Sequence, residues 1–272
     1  MKWIQWLVVA AAAATMLSAC GGGNSVGEEL GITKPSVRFI HAIPSGPNVD
    51  FFNNGVAAQS NAAYTSVSAY NMFSSGATTF SFNATGTTAA LATAPTFNAA
   101  NGHLYTTLAI VGTSALPAIA VIDDPFDKGL LNNQARVRAF NASFNANAVG
   151  PIDIYLVSAS NTNIASATPQ MANVAYDAAA PASGQDSIYL DGGSYVIVVT
   201  HAGSKTPIFT SSAVSLSNNA DWLITTLPTG GLGTVTPDAI EVLVASTGGA
   251  NGTVLTDTTA AAAATPASAV TP

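Results

Sequence analysis

Val37-Arg38-Phe39-Ile40-His41-Ala42, a loop holding Pro44 and Pro47, then Val49-Asp50-Phe51-Phe52: this stretch is written a second time further along the chain. The second copy reads Val137-Arg138-Ala139-Phe140-Asn141-Ala142, a longer loop, then Ile152-Asp153-Ile154-Tyr155. Both read as an opening hairpin, with Arg near its start and Asp leading its second strand. Successive side chains on a strand face opposite ways. Val37 and Phe39 therefore point to one side, and Arg38 and Ile40 to the other. Val137 and Phe140 repeat that split, so both faces of the opening strand are expected to be buried.

The rest of the sequence agrees with a β reading. Apolar residues come in runs of roughly four to eight, broken by Gly, Pro, Asn and Ser. Past residue 20 no run approaches the roughly 18 residues a membrane-spanning helix needs. In the first half, 63–67, 69–73, 78–82, 103–111 and 118–122 read as strands. In the second, 195–199, 222–227 and 240–244 take the places of the last three. No stretch keeps a capped 3.6-residue period, and only the Ala-rich 176–182 suggests one helical turn, ended by Pro181. About seven short strands in about a hundred residues suits a sandwich. The expected fold is all-β: two tandem immunoglobulin-like or Greek-key β-sandwiches of about seven strands each, with little helix. The domains are expected at 36–127 and 135–250, joined by a linker at 128–134. Residues 251–272, low-complexity Thr, Ala and Pro, read as a disordered tail.

The N-terminus carries an address. Lys2 precedes an apolar core at 6–16, and Leu17-Ser18-Ala19-Cys20 follows, so 1–19 reads as a removable signal segment. The LSAC sequence resembles the lipobox of bacterial lipoproteins. That resemblance implies cleavage before Cys20, a diacylglycerol on its thiol and an acyl group, such as palmitate, on the new amine. Three acyl chains hold a protein far more firmly than the single chain that binds marginally. Gly21 rather than Asp after the cysteine implies delivery to the outer membrane, facing the periplasm or the cell surface. Residues 20–35 form the lipidated Cys and a Gly/Ser-rich tether. Its fourteen residues from 21 to 34 reach roughly 20 Å as a random coil.

Cys20 is the single cysteine, so no intrachain disulfide and no cysteine-ligated metal site is expected. Without Lys2 the chain holds six basic and fourteen acidic residues, a formal balance of −8. Such a chain has no basic stripe for phosphates, and nucleic acid is excluded as a partner.

The doubled unit resembles a bacterial family known as domain of unknown function 4397. The residues that carry the likeness are the V-R-F-x-H-A strand at 37–42, Pro44, Pro47, Val49-Asp50 and the Asn54-Gly55 turn. The resemblance covers roughly 36–250 as two copies and implies secreted or lipid-anchored β-sandwich modules. The second copy departs from the pattern, with Asn141 for His41, Ala139 for Phe39 and three residues inserted before Asp153. The family brings no agreed activity.

Candidate chemistry is sparse. His41, His103 and His201 sit at no metal-ligand spacing. His41 reads either as a base oriented by Asp50 or as a strand-end histidine bonding a loop carbonyl. Asn141 at the matching place favours a neutral hydrogen-bonding role. Arg38 with Asp50 and Arg138 with Asp153 read as one ion pair or hydrogen-bonded network per domain, since charge on a mostly apolar strand needs a partner. Asp123, Asp124 and Asp127 form a dense carboxylate group that could hold Ca²⁺; the plainer reading is a solvated turn. Asp50 and Asp153 lie in different repeats, and nothing sets them at a glycosidase spacing. No G-x-S-x-G elbow occurs, and Gly230-Gly231-Leu232-Gly233 lacks the Lys and helix of a phosphate loop. The seven tyrosines, Tyr64, Tyr70, Tyr105, Tyr155, Tyr176, Tyr189 and Tyr195, read as packing residues rather than a sugar platform.

These readings favour a non-enzymatic, lipid-anchored envelope module without cofactor, attached to the membrane through Cys20. It would display sandwich loops around His41, Pro44 and Pro47 to an envelope protein or glycan. The alternative is a hydrolase or accessory subunit acting on envelope polymers.

Overall fold

The computed structural model describes residue 30 and residues 32–129, 132–247 and 252–259. The signal segment, Cys20 and residues 260–272 of the expected tail lie outside the described residues. The chain is all-β, as expected. Its first half runs β1 (Ser36–His41), β2 (Val49–Asn53), β3 (Val56–Ala62), β4 (Asn71–Met72), β5 (Gly76–Thr78), β6 (Phe80–Ala84), β7 (Ala90–Thr93), β8 (Phe97–Ala99), β9 (Leu104–Val111) and β10 (Pro117–Asp124). The second runs β11 (Ala135–Asn141), α1 (Phe144–Asn147), β12 (Ile152–Ser158), β13 (Met171–Val174), β14 (Ala178–Ala180), β15 (Ile188–Leu190), β16 (Gly193–His201), β17 (Pro207–Thr210), β18 (Val214–Leu216), β19 (Asp221–Pro228), β20 (Ile240–Ser246) and β21 (Thr253–Leu255).

The first half packs sheet β10-β9-β1-β4 against sheet β3-β2-β6-β7. The second packs β14-β11-β19-β20-β21, with β15 also on β11, against β13-β12-β16-β17. The two halves share an unusual pairing. β1 runs parallel to β9 with Val37 opposite Tyr105, and β11 runs parallel to β19 with Val137 opposite Trp222.

β1 and β2 are not a hairpin, and neither are β11 and β12. Each pair steps from one sheet to the other, so the two strands face each other across the sandwich core. Phe39 and Phe51 show why: their rings stack at 4.9 Å between the sheets. Val37, Phe39, Val49, Phe51, Phe80, Phe82 and Tyr105 fill this first core. Fully burying a Phe of this kind contributes about 1.5–3 kcal/mol.

The other face of β1 is buried too. Ile40, Leu108, Ile110 and Ile122 pack directly against Phe140, Leu223, Leu227 and Leu243. The two inner sheets are therefore stacked, and the molecule has four layers with three buried seams. This accounts for β9 and β19, in which all eight residues are buried.

Several local expectations need correction. Each expected domain span holds ten strands rather than seven, many of two or three residues. Residues 63–73 form only β4 and a bridge from Val67 to Ile40. The Ala-rich segment is strand β14, because Ala178–Ala180 pair with Asn141, Phe140 and Ala139 of β11. Helix α1 lies in the loop after β11, where Ser143 Oγ accepts from Ala146 N and caps it. The expected disordered stretch 251–272 is ordered near its start. Thr253–Leu255 form β21 on β20, and Leu255 is buried in the second core.

Candidate functional site

Because β1 and β9 are parallel, and β11 and β19 likewise, one end of each inner sheet collects the ends of its two central strands. Side-chain bonds bring the two ends together. Tyr64, just after β3, donates to the carbonyl of Pro228 at the end of β19, and Tyr176, just after β13, donates to Val111 at the end of β9. Residues 43–48, 85–89, 112–116, 143–151, 202–206 and 229–239 thus form one loop-bearing end. The start of β1 and the linker between β10 and β11 lie at the other.

Asp50 and Asp153 pin this loop end. Asp50 Oδ1 accepts from Asn61 N at 2.7 Å and Thr85 Oγ1 at 2.9 Å, and Oδ2 from Gly86 N at 3.4 Å. Asp153 Oδ1 accepts from Asn173 N at 2.7 Å, and Oδ2 from Gly203 N at 2.9 Å. Each Asp thereby locks two turns in which the backbone is left-handed: φ is 54° at Asn61 and 55° at Asn173, 80° at Gly86 and 75° at Gly203. Asn and Gly are the residues that reach this region at least cost. These amide donors favour the charged carboxylate, led by Asn61, and hold the pKa of Asp50 below its ordinary value.

His41 and Asn141 occupy matching places beneath the loops. His41 Nδ1 lies 3.0 Å from the carbonyl of Ala62, and Asn141 Nδ2 donates to Val174 at 3.2 Å. Both carbonyls close the strand that follows the Asp. Burial lowers the pKa of His41, and its backbone hydrogen bonds only partly oppose that. At 1% exposure His41 cannot face a partner, and Pro44 is buried as well; of the three expected loop residues only Pro47 is exposed. The exposed apolar side chains at this end are instead Leu116, Val149, Leu232 and Val235.

Arg38 and Arg138 do not pair with Asp50 and Asp153. Position on the strand decides this: the Arg side chains leave the sandwich core and enter the seam between the inner sheets. Arg38 Nε donates to Thr106 Oγ1 at 2.9 Å and its guanidinium lies 5.0 Å from the Tyr70 ring centroid. Arg138 donates to the carbonyls of Pro181 at 2.5 Å, Ala182 at 2.8 Å and Gln185.

Arg136, which sequence reasoning passed over, is the hub of the seam. It bonds Asp124, Asp186 at 2.9 Å and Asp221 at 3.4 Å, and lies over Phe126 at 4.1 Å. Arg136 and Arg138 thus meet Asp124, Asp186 and Asp221, and the charge of Arg38 is felt at Asp221 without a direct bond, so three cations balance three carboxylates. Burial alone would weaken the hold of Arg136 on its proton; Asp221 and Asp124 outweigh it and raise the pKa. Burial likewise raises Asp221 against the pull of Arg136. Burial also presses on Tyr70, whose pKa is pushed up to about 12. The available sequence signal was the i, i+2 spacing of Arg136 and Arg138, which puts both on one strand face. Their carboxylate partners are scattered from 124 to 221 and carry no local pattern.

The three expected calcium ligands diverge. Asp124 points into the seam, Asp123 Oδ1 lies 2.6 Å from His103 Nδ1, and Asp127 is exposed. Among the described residues no group of three or more His, Cys, Asp and Glu converges on a metal position. His201 Nε2 meets Asp238 at 2.7 Å in the loop end. None of the seven tyrosines is fully exposed, and Tyr105 and Tyr155 are 1% exposed. The Gly230–Gly233 segment enters a short 3-10 turn between β19 and β20. A Cβ on Gly231 would come within 3.3 Å of Ser45, so this loop rests on the β1–β2 loop.

This arrangement is suited to rigid display of loops. No curated protein matches the chain. Residues 35–155 of the chain are similar to the family described as Domain of unknown function (DUF4397).

Proposed function

We propose that this is a lipid-anchored cell-envelope protein, held by acyl chains on Cys20, that presents its loop end to an envelope protein or glycan without catalysing a reaction. Its place would be the outer membrane, facing the periplasm or the cell surface. The observation that carries the reading is polarity: the chain enters β1 at the end opposite the loops, so a tether at 20–35 would point the loops away from the bilayer. The LSAC sequence supports the anchor. The apolar side chains exposed at the loop end, Leu116, Val149, Leu232 and Val235, suit recognition of a largely apolar surface.

We further read residues 135–250 as a second copy of the matched family. Equivalent bonds support this: Ala42 N to Ala109 O and Ala142 N to Thr226 O, or Thr65 N to His41 O and Asp177 N to Asn141 O.

Two measurements test the proposal in intact cells. Cys20→Ser should abolish acylation and so change the mass of the protein; retention at the membrane with unaltered mass refutes the anchor. A photo-crosslinking side chain at Leu232 should capture a discrete protein or glycan, while one at Asn161, exposed at the opposite end, should not. Equal capture at both sites, or none at Leu232, refutes the display role.

A further inference from the structure

Sheet edges attract stray strands, and folded proteins blunt them with short strands, bulges, charges or covering loops. Nearly every edge here is blunted. β4 has two residues, and β14, β15 and β21 have three each. β3, β7, β13 and β17 all carry register shifts. β10 is different. It is an eight-residue edge strand in unbroken register with β9, from Pro117 opposite Val111 to Asp124 opposite Leu104.

Half of this edge is already covered. Asp123 N donates to Ser183 Oγ at 2.8 Å, and Gly184 N donates to Asp123 O at 2.8 Å. Those bonds show which residues turn their backbone outward. By alternation they are Asp123, Val121, Ile119 and Pro117, the last having no N–H to leave bare. The cover stops short of Ile119, whose N–H and C=O, with the N–H of Val121 and the C=O of Pro117, have no partner among the described residues. The intervening run Ala118-Ile119-Ala120-Val121 carries no charge.

The second half shows what such an edge accepts. Tyr105 and Trp222 are matched by their pairing with Val37 and Val137, so Asp123 corresponds to Ser246, Val121 to Val244 and Ile119 to Val242. Val242 and Val244 are paired antiparallel by β21, opposite Leu255 and Thr253. Leu255 turns inward and closes the second core. In the first half Ile119 and Val121 pack on their core in the same way, but among the described residues no strand lies beyond them, and Leu91 of the neighbouring edge strand is left exposed.

We propose that residues 117–121 of β10 are a docking edge for an extended, uncharged segment of a partner protein. The segment adds antiparallel to β10, with a bulky apolar residue opposite Ile119 in the role that Leu255 plays opposite Val242. Binding of this kind takes its affinity from main-chain hydrogen bonds and its selectivity from alternate side chains. The site lies on the flank of the molecule and is independent of the loop end.

The test uses the full chain and a synthetic peptide of sequence Gly-Thr-Val-Leu-Thr, copied from 252–256 and capped at both ends so that it carries no charge. Amide hydrogen exchange at Ile119 and Val121 should be fast in the free protein and at least tenfold slower with millimolar peptide. Ile119→Pro, which deletes an outward N–H, should weaken peptide binding at least tenfold. Peptide that protects only residues around 242–244 has displaced β21 and refutes the proposal. So does slow exchange at Ile119 in the free protein, protection that appears with protein concentration alone, or no change up to millimolar peptide. If Ile119→Pro fails to fold, the exchange measurement on wild type still decides.

Discussion

Replacing Arg136 with Ala should be among the most damaging single changes in the molecule. The residue is 1% exposed and bonds three aspartates, one before the linker and two after it. Its removal leaves Asp124 with Arg138 at 3.7 Å as its remaining cation, beside the neutral donors Phe126 N and Ser187 Oγ, and Asp221 with no bonded cation. A charged hydrogen bond is worth about 1.5–3 kcal/mol when deleted alone. Three such bonds share one cation here, so the loss is set by the uncompensated buried charge, about 3–5 kcal/mol. In a body of this size each kcal/mol moves Tm by about 2–4 °C, which gives a fall of about 6–20 °C. Trp222, 8% exposed in the second core, reports unfolding by fluorescence in urea. Asp221→Asn should restore part of the loss in the Arg136→Ala background, because burial already favours the protonated form of Asp221. A loss under about 1 kcal/mol, or a double variant weaker than Arg136→Ala, would refute the account of the seam.

Tyr64→Phe and Tyr176→Phe each remove one hydroxyl from a carbonyl across the seam, and each should cost about 0.5–1.5 kcal/mol in urea unfolding; no loss in either would mean the crossing bonds contribute nothing. His41 has a folded pKa below its ordinary 6.5, so its contribution to stability is complete above pH 6.5 and declines as pH falls below it. His41→Asn should keep the fold and flatten that decline, which thermal melts across pH 5–8 measure. Asp50 has a lowered folded pKa, so its contribution is present above its unfolded 3.8 and lost below it; Asp50→Asn should lower stability near pH 7 and converge with wild type in acid. Leu255→Ala should cost about 2–5 kcal/mol, whereas a residue in an unstructured tail would cost nothing.

The strand-rich character and the two-faced burial of β1 were legible because they reside in local alternation. Val37, Phe39 and Ile40 each went to the side that parity assigned. The expected Arg38–Asp50 pair does not form, and the same logic could not say where Arg38 goes instead. Parity sends Arg38 away from the core, but nothing local says that a second sheet, not solvent, awaits it there. The opening hairpin failed for a related reason. A Pro-containing loop between two apolar strands serves equally to fold a strand back on its neighbour or to carry it across to the opposite sheet. Only the stacking of Phe39 on Phe51 decides. Ala178–Ala180 became a strand because β11 offered a free edge, a tertiary demand that outweighs the helix preference of alanine. At the loop end, Asp50 and Asp153 were identified as paired positions, while the exposed residues Leu116, Val149, Leu232 and Val235 had no signal distinguishing them from core.

The crossing bonds of Tyr64 to Pro228 and Tyr176 to Val111 have a consequence for how such a molecule can diverge. A contact in which each half gives the other the same bond is the geometry of a symmetric homodimer, here with its two subunits joined by a peptide linker. In a true homodimer every substitution appears twice, and an arginine placed at the seam would meet its own copy near the axis. Joining the subunits lifts that restriction. Ser36 sits where the other half has Arg136, and Thr106 sits where the other half has Leu223. One side can therefore specialise in cations and the other supply part of the counter-charge. The covalent link permits an asymmetric, ion-paired interface between two halves of matching topology, and lets their outer edges differ.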